Sequence, residues 1–315
     1  LVGNQGRAGV IVPTGIATDD TCKQFFGELI KTCSLDSLTG YENEAFIFSA
    51  VHHAFKFCNL VITGKDINVK ESNFIFFCRY FSDINNPKRH FTLTPEDTQL
   101  INPNTLTCPV FRTSADAELT KKVYQRVPVL ENEKQGKNSW GISFMAMFHM
   151  SNDSNLFISE ENLEESNGSV VPLYEAKMLH QFDHRYTTYD GATQAQLNSK
   201  ILPQISIEKK QDFNYTVKPC YWIEKAEVEN RLANKWDKEW LLAFRDITNS
   251  GSERTGIFSL IPKVAVGNNA PLIFSEKQNP SLISCLVANL SSLVFDFVAR
   301  HKVGGTHMNF FVLKQ

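Results

Sequence analysis

Two histidine motifs have the spacing that metal or acid–base chemistry uses. His180 and His184 form an H-x-x-x-H pair, which on a helix would place both rings on one face. Zinc hydrolases combine such a pair with an adjacent glutamate, and the three residues between these histidines include none. His52 and His53 have no acidic or cysteine ligand at suitable spacing, and we interpret them as a histidine pair at a sheet edge. The sequence therefore predicts no metal site.

A set of charged residues surrounds a turn-rich segment at residues 248–252. Its members are Arg245, Asp246, Glu253, Arg254 and Lys263. Two arginines on a loop between strands suit bidentate contacts with guanine or with phosphate. Internal ion pairs that shape the loop, Arg245 with Asp246 or Glu253 with Arg254, are the alternative. For Asp246 and Glu253 we favour the internal ion pairs. For Arg245 and Arg254, both DNA contact and internal pairing stay open.

The first third of the chain alternates strand and helix signals. A short apolar run at residues 10–12 precedes Thr18 to Asp20, which supply a cap and an acidic first turn for a helix. Three β-rich runs follow, at residues 45–51, 55–63 and 74–81. The last two are predicted to form a hairpin. One βα unit followed by a hairpin is typical of the far edge of an α/β sheet.

The second half contains two predicted helices. The first begins after Glu224 and has an apolar stripe at every fourth residue: Val228, Leu232, Trp236 and Trp240. Glu227 is spaced to pair with Arg231 on this helix. The second helix has Asn279 as its cap and Pro280 in its first turn, and it ends before two glycines. Its buried stripe is predicted to be Ile283, Leu286, Leu290, Leu293 and Phe297. Residues 310–315 are predicted to form a strand.

Composition limits the class of protein. With 315 residues, 42% hydrophobic and 21% charged, the chain is long enough for about two globular domains. The most apolar stretch, residues 283–299, is interrupted by Asn289, two serines and Asp296, and it falls short of the roughly 20 apolar residues that a membrane span needs. Seven cysteines with no C-x-x-C pair favour a reducing cytoplasm over a disulfide framework.

The two halves of the chain differ in charge. Residues 1–170 hold 15 basic and 20 acidic side chains, net −5, and residues 171–315 hold 17 and 14, net +3, which together give the net charge of −2. The acidic, turn-rich stretch that starts at Glu160 indicates a linker and places a domain boundary near residues 150–170. The chain opens at Leu1 without a signal-like segment, so we expect it to be a piece of a longer polypeptide.

Five sequence blocks occur in the order found in one enzyme family. They are GRAGVIVPTGIATDDTCKQFF (residues 6–26), ENEAFIFSAVHHAFKF (42–57), LYEAKMLHQFDHRYTTY (173–189), LLAFRDITNSGSERT with IPKVAVG (241–255 and 261–267) and SLVFDFVARHKVGGTHMNFFVLKQ (292–315). Together they resemble adenine-specific DNA methyltransferases of type II restriction-modification systems. The resemblance implies a Rossmann-like domain that binds S-adenosylmethionine and methylates an extruded adenine, followed by a domain that reads double-stranded DNA.

Two motifs of that family are missing from this chain. The Pro-Pro-aromatic motif that holds the target amine does not occur, and the nearest approaches, at Pro87 and Pro280, lack the second proline and the aromatic residue. The glycine-rich cofactor loop does not occur either. We therefore expect no catalytic residue and no bound S-adenosylmethionine in this chain, although the intact enzyme would use that cofactor. The resemblance then implies that an N-terminal catalytic half, missing from this chain, is one of its partners.

The resemblance implies three segments. Residues 1–82 would be α/β, the C-terminal portion of a Rossmann-like methyltransferase sheet. Residues 83–169 would be a helical and irregular connector with a helix capped near Thr113 and Ser114, and residues 170–315 an α+β target-recognition domain. The chain would recognise DNA as the C-terminal fragment of a site-specific adenine methyltransferase, or of a fused restriction-modification enzyme, in a bacterial or archaeal cytoplasm.

The resemblance also assigns site residues. Phe48 would stack on the extruded adenine, because a base taken out of the helix needs a flat apolar wall; packing in the core is the alternative. Residues predicted to contact DNA are Lys177, Arg185, Arg245, Arg254, Lys263 and His307. For Lys177 and Arg185 the predicted contact is with phosphate, and solvated surface cations are the alternative.

A different class of function stays open at this point. The chain would then be a non-catalytic protein-interaction module that presents Trp236 and Trp240 to a partner subunit. A methyltransferase acting on RNA or protein is a third possibility. Binding that weakens steeply with salt would favour DNA over a protein partner, and an Asn-Pro-Pro-aromatic motif in the upstream coding sequence would favour amine methylation.

Overall fold

The computed structural model describes residues 2–166, 168–277 and 279–315, and the chain divides into two compact units. The first unit comprises Leu1–Asn138, Val298–Gly305 and Phe310–Gln315, and the second comprises Ser139–Phe297 and Thr306–Asn309. The predicted segments 1–82, 83–169 and 170–315 are defined by function and stay a prediction. Asn167, within the predicted linker, lies outside the described residues.

Strands and helices alternate through residues 2–138. The strands are β1 (Arg7–Pro13), β2 (Leu35–Glu42), β3 (Lys56–Thr63), β4 (Ser72–Cys78) and β5 (Phe91–Leu93). The α-helices are α1 (Gly15–Thr18), α2 (Lys23–Lys31), α3 (Pro95–Ile101) and α4 (Ser114–Arg126). Short 3-10 helices lie at Asp20–Cys22, Asn43–Ala45, Phe81–Asn85, Pro87–Arg89 and Glu133–Gln135.

The rest of the chain is also a mixture of strands and helices. The strands are β6 (Ile142–Met145), β7 (Val170–Tyr174), β8 (Trp222–Glu224), β9 (Trp240–Phe244), β10 (Phe258–Pro262), β11 (Ala265–Val266) and β12 (Leu272–Ser275). The α-helices are α5 (Gln194–Ser199), α6 (Ile207–Gln211), α7 (Lys225–Leu232), α8 (Pro280–Leu290), α9 (Leu293–Lys302) and α10 (Phe310–Lys314). Further 3-10 helices lie at Ser154–Leu156, Glu160–Glu165 and Ala176–Met178.

The sheet of the first unit has the strand order β1-β3-β2-β4-β5. β3 runs antiparallel to both of its neighbours, β1 and β2, and β2 runs parallel to β4. β1, β2 and β4 therefore point the same way, and their carboxyl ends lie at one edge. There Pro13 pairs with Phe57, and Tyr41 pairs with both Phe57 and Cys78.

The predicted strand–helix start of the chain is confirmed by β1 and α2, but its predicted cap is wrong. The helix begins at Lys23 with Cys22 at its N-cap position, and Asp20 lies in the preceding 3-10 turn, so no acidic residue lies in the first turn of α2. The predicted strand at residues 45–51 is wrong, because this segment forms turns of a loop. The predicted hairpin between β3 and β4 is also wrong, because β2 lies between them. β2 buries Leu35, Leu38 and Tyr41, a spacing of three that simple alternation does not predict. Its pairing is irregular at two places, between Leu35 and Ser37 and between Thr39 and Tyr41.

A core of large apolar side chains joins the helices of the first unit to its sheet. Its members include Phe26 of α2, Leu38 and Leu60 of the sheet, and Phe111, all fully buried. The predicted cap of α4 is confirmed as a reciprocal capping box: Thr113 Oγ1 accepts from the N–H of Asp116 at 3.2 Å, and the Asp116 carboxylate accepts from the N–H of Thr113 at 3.0 Å.

The second unit contains two sheets among its described residues, in the orders β10-β9-β12-β6 and β11-β7-β8. The first is antiparallel throughout, and the second contains one parallel pair, β11 with β7. Phe148, Leu173, Ile223 and Leu241 belong to its apolar core. The whole chain is thus a mixed α and β structure.

The predicted long helix after Glu224 is wrong beyond Leu232, where α7 ends. Trp236 lies in the following loop, and Trp240 begins β9. The rings still meet, with centroids 4.9 Å apart, because the chain turns back between them. The predicted pairing of Glu227 with Arg231 is also corrected: Arg231 pairs with Asp153, at 2.8 Å.

The predicted last helix is divided into α8 and α9 at Ser291 and Ser292. Its cap is confirmed, since Asn279 Oδ1 accepts from the N–H of Ser281 at 2.9 Å. Leu293, predicted to be buried, is 77% exposed because the break turns it outward. Residues predicted to form a terminal strand form helix α10 instead. Of the helices in the described residues, none is by itself long and apolar enough to cross a membrane; α8 and α9 pass that test only as a pair bent by 57°.

Candidate nucleic-acid interface

The carboxyl edge of the first unit's sheet gathers polar residues and a loop. Thr14 follows β1, Asn43 follows β2 and Arg79 follows β4. In open α/β sheets, ligands bind outside the carboxyl ends of the parallel strands. This edge is therefore the first place to look for a site.

The loop between β2 and β3, residues 43–55, is organised by the side chain of Asn43, which is fully buried. Asn43 Nδ2 donates to the carbonyl oxygens of Phe48 at 3.0 Å and Val51 at 2.8 Å. Asn43 Oδ1 accepts from the N–H of Phe48 at 2.9 Å, and the N–H of Asn43 donates to Phe55 O at 3.1 Å. The loop is thus held by hydrogen bonds from its first residue.

Phe48 lies at one end of a row of aromatic rings. Its side chain is 40% exposed, and its ring meets Phe57 edge-on at 4.9 Å. Phe57 stacks on Tyr41 at 5.1 Å, and Tyr41 meets the exposed Phe81 at 5.9 Å. Phe48 therefore does not fill the core, and its supported ring offers the kind of flat apolar surface on which a base stacks.

A cavity at the same edge is small. It has a volume of about 20 Å³, and Thr14, Tyr41, Glu42, Lys56 and Phe77 are among the residues that line it. A volume of that size holds one water molecule, whereas sites for drug-sized ligands measure roughly 300–1,000 Å³. The cavity does not fit S-adenosylmethionine.

The cavity wall combines cations with a strained backbone. Phe77 adopts φ 60°, in the left-handed region, and the guanidinium of Arg112 lies 4.0 Å from the centre of its ring. Lys56 Nζ donates to Gly304 O at 3.2 Å. Burial lowers the pKa of Lys56; the Glu42 carboxylate opposes this shift and Arg112 adds to it.

The histidine motifs do not form metal sites. His52 and His53 lie in the Asn43 loop rather than at a sheet edge, and His53 Nδ1 is 3.2 Å from Glu44 Oε1. His180 and His184 are not on a helix, since Phe182 between them has φ 59°. Burial lowers the pKa of both His180 and His184. Across residues 2–166, 168–277 and 279–315, no group of three or more His, Cys, Asp or Glu side chains is arranged to hold a metal ion.

The two residues predicted to contact phosphate already have protein partners. Lys177 Nζ is 3.1 Å from Glu175 Oε2 and lies 4.9 Å from the centre of the Tyr189 ring. Arg185 donates to the carbonyl oxygens of Asp212 at 2.9 Å and Lys210 at 2.5 Å. A phosphate would have to share these cations with their present partners.

Arg245 has a structural role in the second unit. Its Nε donates to the carbonyl oxygens of Ala176 and Leu179, both at 2.9 Å, and burial lowers its pKa. The alternative in which Arg245 pairs with Asp246 is corrected, because Asp246 Oδ2 lies 2.7 Å from His307 Nδ1. The His307 side chain is 52% exposed, more than the side chains of Lys177, Arg254 and Lys263.

The loop between β9 and β10 is anchored by the buried Asp296. Its Oδ1 accepts from the N–H groups of Thr255 and Gly256, both at 2.8 Å, and lies 3.8 Å from Arg254 Nε. Arg254 Nη2 donates to Ser291 O at 2.6 Å. Arg254 therefore lies beside the carboxylate of Asp296, a pairing that was not predicted from the sequence.

Acidic side chains lie beside many lysines of the second unit. The pairs are Lys177–Glu175, Lys209–Asp190, Lys210–Asp183, Lys218–Glu160, Lys225–Glu229, Lys238–Asp237 and Lys263–Glu239. The predicted DNA contact Lys263 is one of them, with its Nζ 3.7 Å from Glu239 Oε1. The positive charge of this unit is thus locally balanced.

Two residues that organise these loops, Asn43 and Asp296, were not predicted from the sequence. Asp296 is a single carboxylate inside an apolar stretch, and many surface carboxylates have the same sequence context, so this signal does not identify its role. Asn43 gave no distinct signal, because its partners lie five and eight residues further along a loop whose path is not encoded by periodicity.

Neither a protein-family model nor a curated protein sequence matches the chain. The solved structures that are similar to it include two restriction-modification enzymes. One is the type IIL restriction-modification enzyme MmeI in complex with DNA, at 10% identity and a TM-score of 0.42, covering 90% of this chain and 35% of that one. The other is the type IIG restriction endonuclease BpuSI, at 13% identity and a TM-score of 0.32, covering 100% and 40%. The chain thus spans well under half the length of each.

Proposed function

We propose that this chain is the C-terminal part of an adenine-specific DNA methyltransferase of a bacterial or archaeal restriction-modification system. In this proposal the first unit completes a Rossmann-like sheet, and the second recognises double-stranded DNA. The observation that carries it is Phe48, an exposed aromatic residue on a hydrogen-bonded loop at the carboxyl edge of the sheet. The strands β1 and β2 run in the same direction, and the chain passes from one to the other through α2. This connection is a β-α-β crossover.

The proposed role of Phe48 follows from the energetics of base extrusion. A base that leaves the double helix loses its stacking neighbours, and an aromatic side chain restores about 1–3 kcal/mol of that stacking. The Phe57 ring supports Phe48 from one side, so that its other surface is available to a base. Phe48 would position the base, while the amine-polarising residues lie elsewhere.

Methyl transfer itself is proposed to reside in the missing N-terminal half. S-adenosylmethionine, when bound there, supplies the methyl group, and the attacking amine must be held in line with it. This chain has no Pro-Pro-aromatic motif, and the cavity at the carboxyl edge of the first unit's sheet is too small for the cofactor. We expect calorimetric titration of the isolated chain with S-adenosylmethionine to detect no binding. Micromolar affinity for this cofactor would contradict the proposal that the N-terminal half alone binds it.

DNA recognition by the second unit is tested by its response to salt. Fluorescence anisotropy with a labelled duplex should show an affinity that falls linearly on a log–log plot as salt rises, since cation contacts with phosphate release counterions. The cations proposed to take part are Lys177, Arg185, Arg254, Lys263 and His307, with Arg245 holding the fold around them. Binding that is insensitive to salt, or no binding at any salt concentration, would contradict the proposal.

The competing function, a protein-interaction module, relied on Trp236 and Trp240 facing a partner. Trp236 is only 7% exposed and packs against Phe274, with ring centroids 5.6 Å apart. Trp236 therefore packs within its own unit rather than facing a partner. A competition experiment distinguishes DNA recognition from a methyltransferase that acts on RNA or protein. If the chain recognises DNA, excess RNA or protein should not displace the labelled duplex from it.

A further inference from the structure

The loop that carries Phe48 turns its apolar side chains outward. Phe48 and Val51 are each 40% exposed, and Phe46, which adopts φ 51°, is 54% exposed. Burial of these side chains therefore does not account for the loop's conformation. The interactions that define it are hydrogen bonds, and the fully buried Asn43 side chain makes three of them.

Asn43 binds both backbone groups of Phe48. Its Oδ1 accepts the N–H, and its Nδ2 donates to the carbonyl oxygen. A residue whose N–H and C=O are both held by one rigid amide has little freedom in φ and ψ, so the direction of its Cα–Cβ bond is fixed. The second Nδ2 bond, to Val51, closes the turn that follows.

We propose that Asn43 is a positioning residue that holds the Phe48 ring ready to stack on an unpaired nucleobase before nucleic acid binds. This inference rests on the proposed function only in taking Phe48 as the stacking residue. An unanchored loop would have to be ordered during binding, which costs conformational entropy. Asn43 removes that penalty by ordering the loop in the free protein.

The test uses the chain as it is and a single-stranded oligonucleotide with one 2-aminopurine, whose fluorescence is quenched by stacking. Asn43→Asp keeps the size of the side chain and the acceptor for Phe48 N–H, but it loses both donated bonds. We expect it to weaken the quenching interaction about 5- to 10-fold, as loss of one or two hydrogen bonds predicts. Phe48→Ala should weaken it at least as much.

A double-mutant cycle separates positioning from general stability. If Asn43 acts through Phe48, Asn43→Asp has no further effect in a Phe48→Ala background. Asn86→Asp is the matched control, because Asn86 also organises a turn of the first unit, with Oδ1 accepting from Lys88 N–H at 3.1 Å. It should leave quenching unchanged.

Hydrogen exchange gives a readout that does not depend on nucleic acid. In an Asn43→Ala variant the Phe48 amide should exchange faster, while amides of β2 and β3 keep their protection. If protection is lost throughout the sheet in both Asn43 variants, Asn43 is a general stability residue and the inference is wrong.

The outcomes distinguish the inference from the proposed function. If Phe48→Ala weakens quenching and Asn43→Asp does not, or if the two effects add, the positioning role is wrong and the stacking role of Phe48 stands. If neither substitution weakens quenching, the stacking role itself is wrong. Salt-dependent binding of duplex DNA is measured separately and tests the second unit alone.

Discussion

His307 and Asp246 form a hydrogen-bonded dyad in the second unit, with His307 Nδ1 2.7 Å from Asp246 Oδ2. The carboxylate is mostly shielded, at 18% exposure, whereas half of the imidazole faces solvent. The chain holds the dyad from both sides, because the N–H of Met308 donates to Asp246 O at 2.8 Å. A histidine oriented through one ring nitrogen presents the other in a defined direction.

This arrangement predicts the effect of His307→Ala on DNA binding. Loss of one oriented contact should weaken binding of a duplex by about 1 kcal/mol, roughly fivefold, and lower the slope of the salt dependence. Anisotropy titrations at several salt concentrations measure both. His149→Ala is the control, since His149 is an exposed histidine of the same unit. Equal effects of the two substitutions would show that His307 makes no specific contact.

Arg254→Ala separates base recognition from structural support. The substitution removes the hydrogen bond to Ser291 O and the guanidinium whose Nε lies 3.8 Å from the buried Asp296 Oδ1. We expect the free energy of unfolding to fall by about 1–3 kcal/mol. Denaturant unfolding measures this. If Arg254 also reads a base, site preference in the intact enzyme should relax; unchanged preference with lowered stability would leave it a structural residue.

Asp296 should be more important for the β9–β10 loop than its sequence context suggests. One oxygen accepts two backbone N–H groups, so Asp296→Ala leaves both of them buried and unpaired. We expect a loss of about 2–4 kcal/mol in stability, while Asp296→Asn, which keeps an acceptor oxygen, should lose less. Thermal unfolding ranks the two variants. Equal losses in the two variants would mean that the negative charge, rather than the accepted hydrogen bonds, matters.

Lys302 predicts a pH dependence of stability. Its buried ammonium donates to Ile101 O, Asn102 Oδ1 and Gln315 O, each at 2.7 Å, and burial lowers its pKa well below the ordinary value of 10.5. Between the lowered pKa and 10.5 the unfolded chain binds more protons, so stability should rise with pH in that window.

Urea unfolding at a series of pH values up to about pH 10, just below the ordinary lysine pKa, checks this expectation. Lys302→Met should reduce the slope, and Lys122→Met, at an exposed position of α4, should not. An unchanged slope in Lys302→Met would show that the folded protein does not shift the titration of this lysine.

Cysteine labelling provides a test of the core of the first unit. Burial raises the pKa of Cys58 to about 11 and that of Cys108 well above its ordinary value, whereas Cys285 is exposed. At pH 8, a thiol of pKa 11 is about 0.1% thiolate, the reactive form. Iodoacetamide should therefore modify Cys285 first, and Cys58 and Cys108 only after denaturation. Early labelling of Cys58, detected by mass spectrometry, would contradict the packing.

The elements predicted correctly were those with local causes. The cap of α4 at Thr113 and the cap of α8 at Asn279 act within one helical turn. The failures came from interactions between distant residues. Trp236 and Trp240 have helical spacing but meet across a turn, and residues 310–315 have an apolar run that is consistent with a strand or a short buried helix.

The candidate site was predictable only in part. Phe48 came from the resemblance to a family, and the structure gives its exposure and the ring behind it. The role of Asn43 could not be predicted, because its three hydrogen bonds exist only once the loop has its path. Similarly, the partners of Arg245 are carbonyl oxygens about 70 positions earlier, which no charge pattern identifies.

The lysine–carboxylate pairs of the second unit bear on how a polyanion would approach it. In each of these pairs the lysine already has an anionic neighbour, so a phosphate that approaches it competes with a tethered carboxylate instead of only displacing mobile ions. Long-range attraction between this unit and DNA would then be weak. The association rate constant would be that of proteins that associate without electrostatic steering, about 10⁵–10⁶ M⁻¹s⁻¹. The lifetime of the complex, rather than the speed of its formation, would determine which sequences are retained.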